Sequence, residues 1–433
     1  MSAPAISAGD TAWVLVSSAL VLLMTVGLAC FYSGLVRSKN TLNTMMMSIA
    51  AMGGIGVLWV LVGYSLAFAP GSAWLGGWSW ALFRGVGLEP NATYAATIPH
   101  QAHAAYQGMF AIITPALISG AIVERMRFRA YLAFMLLWSL LIYAPLAHWV
   151  WGAGGWLQAL GALDFAGGTV VHVSAGVSAL VAAWMLGPRR DYRRMPLSPH
   201  SVPLVIIGAG LLWFGWFGFN AGSALAANGI AALAFVNTNA AAAAAVLTWA
   251  LLDMWRSGKV TAVGVATGAV VGLVGITPAA GYVTAPTALA IGALCAVLSY
   301  FAIQRRSKSR LDDSLDVFSC HGLAGIAGAL LTGVFAMNVG VLAGHPKQLL
   351  VQVYAVLAAI VLAGVGTVAI LTLVRATLGA RPRVADELIG LDLSEHGEEA
   401  YFGGEAGLSG GIALAQSVIV STHHEEERRG KEA

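Results

Sequence analysis

"DFAGGTVVHVSAG", residues 164–176, sets one aspartate and one histidine among small apolar residues that otherwise fit a membrane-buried helix. An ionisable ring in that setting is costly and needs a reason. A second stretch, "LDVFSCHGLAGIAG" (315–328), repeats the phrase: His172-Val-Ser-Ala-Gly in one, His321-Gly-Leu-Ala-Gly in the other, preceded by Asp164 and Asp316. Each histidine either hydrogen-bonds a neighbouring helix or lines a pathway, and two in matching phrases favour the pathway. Asp164 opens its span, where a carboxylate caps helix-end amides or attracts an arriving cation. Asp316, beside Asp312 and Asp313, reads as a cap.

The rest of the chain agrees with a membrane setting. Of 433 residues, 58% are hydrophobic and 10% charged, with 52 glycines and a mean hydropathy of +0.78; soluble domains do not have this composition. Cys30, Cys295 and Cys320 lie too far apart for a disulfide framework or a paired-cysteine metal site. No Lys or Arg precedes the first apolar run, so that run reads as a retained span, not a signal peptide.

Stretches free of Asp, Glu, Lys and Arg give the span count, each crossing needing roughly 20 residues. Single crossings fit residues 11–36, 40–83, 90–123, 130–163, 165–188, 317–346 and 348–374. The stretches 195–252 and 260–304 hold two each, broken near "NAGSALAANG" and "TPAAGY". The fold expected is all-α and polytopic, with eleven transmembrane helices. All but Arg84 and Lys347 of the 23 Lys and Arg residues then fall on one side. The positive-inside rule puts that side in the cytoplasm, with the N-terminus outside and the C-terminus in. A multi-pass protein of the inner (plasma) membrane is expected, contacting lipid and no nucleic acid.

In this orientation the fifth and tenth spans run in opposite directions, so their histidines sit on antiparallel copies. That is the mark of an inverted repeat, here five plus five spans (about 11–188 and 195–337) with an eleventh helix added; such repeats place a substrate path on their pseudo-twofold axis. The membrane domain covers 1–378, a cytoplasmic tail 379–402, and a disordered extension of mixed charge 403–433. The tail is too short to carry a fused kinase or cyclase. The Ala240–Ala245 run, with Gly208, Gly210, Gly215 and Gly218, supplies small residues for close helix packing. His100 and His103 resemble a metal pair only superficially, lacking a third ligand. No metal or cofactor is expected, and without a nucleophile beside the histidines, no enzyme.

With "WFGFNAGSALAAN" (216–228), "AFVNTNAAAAAAVLTW" (234–249) and "GLDLSEHGEEAYF" (390–402), these motifs make the chain resemble the ammonium transporter family (Amt/Mep/Rh), on its bacterial Amt branch, from the first span to Phe402. The resemblance implies a homotrimer with one pore per subunit. It puts the twin pore histidines at His172 and His321. An external ammonium site falls on Trp151 and Ser223, a stacked phenylalanine gate on Phe110 and Phe219, and further aromatic surroundings on Tyr106 and Trp216, with Asp164 as the aspartate of the fifth span. The tail resembles the family's regulatory segment, implying inhibition by a cytosolic PII-type protein. The residues after 402 depart from the pattern and put that docking in question.

The chemistry suits the residues. Ammonium and potassium share charge and near-equal size, but ammonium carries four N–H donors; a serine hydroxyl accepts one, and aromatic faces stabilise the charge by about 0.5–2 kcal/mol per good contact. An apolar lining opposes an intact ion but not ammonia. A contacting imidazole pair both donates and accepts, and so can pass a proton. The function expected is recruitment and deprotonation of ammonium outside, ammonia conduction inward, and a proton following along the histidines. The rivals are an ammonium sensor acting through a PII-type protein and a neutral Rh-like gas channel.

Overall fold

The computed structural model describes residues 6–195 and 197–401. Among them, ten helices are long and apolar enough to cross a membrane: α1 (Ala8–Leu35), α2 (Ser38–Phe68), α3 (His100–Ile122), α4 (Phe128–Leu160), α5 (Gly168–Leu186), α6 (Val202–Ala224), α7 (Gly229–Ser257), α9 (Ala285–Arg306), α10 (Phe318–Phe335) and α11 (Lys347–Thr377). The eleventh member of the series, α8 (Ala262–Ile276), is apolar but only 15 residues long. The buried turn Thr277–Val283 follows it, its backbone held by Asn237 of α7, which donates both amide hydrogens to the carbonyls of Ala280 (2.8 Å) and Val283 (2.7 Å). Helix starts carry the expected caps. Ser7 accepts from the Asp10 amide, Asn228 from Ile230 and Ala231, and Thr261 from Gly264.

The breaks expected at "NAGSALAANG" and "TPAAGY" are present, at the turns after α6 and α8. Two short strands, Pro90–Asn91 and Ala95–Pro99, form a hairpin before α3, so that helix begins at His100, later than its apolar window. The apolar pattern alone does not separate a hairpin lying over helices from the helix that continues it. The faces are named outer and inner as the basic residues assign them.

Repeat-equivalent helices cross one another at small residues. Between α1 and α6, a Cβ built on Gly208 would overlap the Phe31 nitrogen, one on Gly215 would overlap Met24, and one on Gly218 would lie 2.7 Å from Leu20 Cβ. Gly210 meets nothing within 4 Å, so it takes no part in this seam. Between α5 and α10, a Cβ on Gly176 lies 2.2 Å from the Gly322 nitrogen, and one on Gly325 lies 3.0 Å from His172 Cβ. Each motif glycine, four residues after its own histidine, thus abuts the other helix beside the other histidine. In lipid, where close packing drives association, this contact explains the repeated His-x-x-x-Gly phrase. The Ala240–Ala245 run acts likewise: Ala241, Ala242 and Ala245 are buried, with Gly272 of α8 and Gly292 of α9 against them.

Of the five π-helical turns among the described residues, four lie within the membrane helices: Trp59–Gly63, Ser139–Tyr143, Gly168–Val173 and Phe318–Leu323. Such turns are frequent at functional sites. The last two contain His172 and His321.

At the inner face, buried and half-buried ion pairs tie the loops together. Arg37 pairs with Glu124 (2.9 Å) and Asp191 (2.7 Å), and Arg189 bridges Glu124 (3.2 Å) and Asp312 (2.9 Å). Burial alone would raise the Glu124 carboxyl, but Arg189 and Arg37 outweigh it and hold the group below the usual carboxylate value. The tail lies against this face. Lys39 donates to the Leu388 carbonyl (2.5 Å), Asp392 accepts from the Asn43 amide (2.8 Å), Glu395 from that of Phe128 (3.2 Å), and Tyr401 bonds His200 (2.9 Å). The extension 403–433 lies outside the described residues.

Candidate functional site

A cavity of about 310 Å³ opens on the outer face, walled by Phe110, Trp151, Asp164 and Ser223 together with Tyr94, His103 and Gln107. Trp151 is held by its own indole: Nε1–H donates to the Asp164 carbonyl (2.9 Å), and its ring meets Phe110 edge-on at 6.0 Å. Ser223 donates to the Phe219 carbonyl (3.0 Å), which leaves oxygen lone pairs to accept N–H donors. Tyr106 is not a wall residue. It is buried behind Ser223, its hydroxyl 3.1 Å from Ser223 Oγ and 2.8 Å from the Phe219 carbonyl.

The floor of the cavity is an aromatic pair. Phe110 and Phe219 stack with centroids 4.3 Å apart and planes 29° apart. Past them the path narrows to a lumen of about 10 Å³, lined by Leu28, Ile113, Leu117, Val171 and Leu212 with Trp216, His172 and His321. That space is close to the least that accommodates one water-sized molecule. Trp216 therefore sits inside the aromatic pair, not at the outer site. Its ring stacks on His172 at 5.4 Å, and its Nε1–H donates to Thr277 (2.9 Å).

The two histidines meet through their Nδ1 atoms at 3.3 Å, rings inclined by 30°. One nitrogen donates and the other accepts, so the pair shares a single proton along this contact. His172 Nε2 is buried without a partner among the described residues. His321 also borders a vestibule of about 900 Å³ on the inner face, walled in part by Arg189, Arg306, Asp316 and Cys320. Three spaces therefore succeed one another between the faces, the outer one closed off by the Phe110–Phe219 stack and the smallest lying at the histidines.

Asp164 is a cap. Its four carboxylate bonds go to the amides of Gly167 (2.9 Å), Gly168 (2.6 Å), Thr169 (2.8 Å) and Val170 (3.0 Å), at the start of the π turn that carries His172. The counterpart of Asp164 in the other copy is Asp313, not Asp316. Asp313 accepts from the amides of Val317 (3.0 Å) and Phe318 (2.7 Å), while Asp316 makes a bidentate pair with Arg306 (2.7 and 2.9 Å) and caps nothing with its carboxylate. The spacing held the clue: each capping aspartate stands eight positions before its histidine. His100 and His103 do not pair as ligands either; both bond the Tyr64 hydroxyl, at 2.7 and 3.0 Å. His103 and Gln107 as wall residues carry a signal in sequence only once Phe110 is placed, since the three fall at i, i+4 and i+7 of one helix face.

Known proteins match this architecture along most of the chain. The model of the Ammonium Transporter Family matches residues 12–401. An ammonium transporter of Aquifex aeolicus is 49% identical over 403 residues, 91% of this chain and 93% of its own length. The crystal structure of Candida albicans Mep2 superposes with a TM-score of 0.84 at 38% identity, covering 92% of this chain and 91% of that one, and a structure described as a sensor Amt protein does so with 0.83 at 30% identity, covering 90% and 98%. The chain belongs to the ammonium transporter family, whose members are multi-pass membrane transport proteins and not enzymes.

Proposed function

We propose that this protein recruits ammonium at the outer cavity, deprotonates it there, and conducts ammonia into the cytoplasm while the proton follows along His172 and His321. The observation that carries the reading is the sequence of environments along one path: an acceptor and aromatic faces at Ser223, Trp151 and Phe110, a closed aromatic floor at Phe110 and Phe219, then an apolar lumen holding two contacting imidazoles. An intact ion would lose its hydration in that lumen with only two neutral rings in exchange, whereas ammonia is uncharged and finds a donor or acceptor at each histidine. Phe219 must swing aside for any passage, and Trp216 fixes the His172 ring from the side. Asp164 acts by holding the π turn and, through its carbonyl, Trp151.

The positive face is cytoplasmic in this reading, in the inner (plasma) membrane, and the protein works as a homotrimer with one pore per subunit. The docked tail serves as a platform where a PII-type regulator covers the inner vestibule. A second reading, an ammonium sensor that signals through such a partner, draws support from the neighbour described as a sensor Amt protein; a neutral gas channel is the third. The deciding experiment is current on solid-supported membranes from proteoliposomes, after an ammonium jump and a potassium jump. A saturating, ammonium-selective current is expected. Ammonia flux without current would mean the gas channel, and ammonium binding with neither signal would mean the sensor.

A further inference from the structure

The outer cavity contains a titratable ring that the mechanism above does not use. His103 is buried, its ring clamped between Tyr94, stacked at 5.0 Å, and the edge of Phe68 at 5.1 Å, and it forms part of the cavity wall shared with Trp151, Phe110 and Ser223. Its Nδ1 points away from that wall, to Tyr64 (3.0 Å), which does not border the cavity. The ring atom left for the cavity is Nε2.

The hydrogen bonds behind the ring fix its tautomer. Asn91 Oδ1 accepts from the Thr93 amide (3.0 Å), so the amide group of Asn91 is oriented and its Nδ2, a pure donor, is the atom 3.4 Å from His100 Nε2. His100 Nε2 is therefore an acceptor. The Tyr64 hydroxyl, 2.7 Å from the same nitrogen, must donate to it, and having spent its single proton it accepts from His103 Nδ1–H. The distances agree with that order, since O–H donors bond at shorter range than N–H donors. His103 Nε2 is left without a proton and without a partner among the described residues, on a ring that lines the cavity.

Resting on the ammonium reading above, we propose that His103 is a further acceptor for an N–H of ammonium in the outer cavity, with Tyr64 and His100 as positioning residues that keep Nε2 bare. Ser223 supplies one acceptor, and ammonium has four donors. Gln107, one turn further along α3 toward Phe110, also lines the cavity, and its Oε1 is buried without a partner among the described residues. A hydrogen-bond acceptor of this kind favours ammonium over potassium, which has no proton to give.

The test is the half-saturation of the ammonium-evoked current in proteoliposomes, with melting in detergent as the control for folding. His103→Leu removes the acceptor and is expected to raise half-saturation about tenfold. His103→Gln returns an acceptor and stays within about threefold of the parent. Tyr64→Phe touches nothing in the cavity but frees the ring to adopt the other tautomer, and is expected to raise half-saturation about threefold or more with the maximal current unchanged. If His103→Leu leaves half-saturation within about twofold, or if leucine and glutamine behave alike, the proposal fails. Should His103→Leu not fold, Tyr64→Phe decides alone, and a lowered maximum at constant half-saturation overturns the proposal. A parent protein without ammonium-dependent current or flux defeats the transport reading itself; a normal parent current with unmoved variants defeats only this inference.

Discussion

The two copies of the histidine motif begin alike and end differently. In each, an aspartate eight residues upstream ties down the amides of a π turn, the turn presents a histidine, and a glycine four residues later lets the partner helix come close. Around α5 this core meets aromatic rings: Trp216 and Phe219 cover His172, and the Asp164 carbonyl anchors Trp151. Around α10 it meets charge and open space. Asp312 and Asp316 beside the capping Asp313 pair with Arg189 and Arg306, and His321 borders the inner vestibule. A repeated element thus supplies the paired imidazoles, and the surroundings make the two copies unlike, with stacked rings on one side and charge beside open space on the other.

The strongest way to break the comparison is at the crossing. Gly176→Ala puts a carbon 2.2 Å from the Gly322 backbone, whereas the nearest atom for Gly325→Ala is 3.0 Å away. The first variant is expected to cost more than the roughly 1–3 kcal/mol typical of overpacking and to leave little folded protein, the second to fold with a lowered melting temperature. Equal melting of the two would show that the crossing tolerates adjustment on both sides.

The caps give the next effect. Asp164→Asn replaces one of two oxygens with a donor, turning two of four amide bonds into donor–donor contacts, while Asp313→Asn disturbs one of two. With charge-assisted bonds worth about 1.5–3 kcal/mol each, Asp164→Asn is expected to be the more destabilising, by thermal melting. It should also loosen Trp151 and weaken ammonium selection, which Asp313→Asn leaves intact.

His172→Asp places an anion in the smallest space between the two faces. Potassium current approaching the ammonium current is expected; unchanged selectivity and current would remove the histidine pair from the mechanism. His321→Asp, open to the inner vestibule, should have the smaller effect. The smallest change comes at the rim. Trp151→Leu removes one aromatic face worth about 0.5–2 kcal/mol, so half-saturation should rise between about twofold and thirtyfold with the potassium response still absent.

The sequence by itself determined the polytopic helical fold. Hydrocarbon thickness sets span length, so the spans are written in composition along the chain, and loop charge carries the sidedness proposed for them. It also marked His172 and His321, because an ionisable ring among apolar residues stands out at any position. The tertiary structure alone decided which neighbours matter. Asp313 replaced Asp316 as the counterpart of Asp164 because capping depends on where amides point, and the two carboxylates differ by less than one helical turn in sequence. Trp216 moved from the outer site to the histidines, and His103 turned from one half of a superficial metal pair into a cavity wall backed by Tyr64, a partner 39 positions away. Hydrogen bonds and ring contacts act over about 3–5 Å between atoms that distant segments bring together, so no local pattern records them.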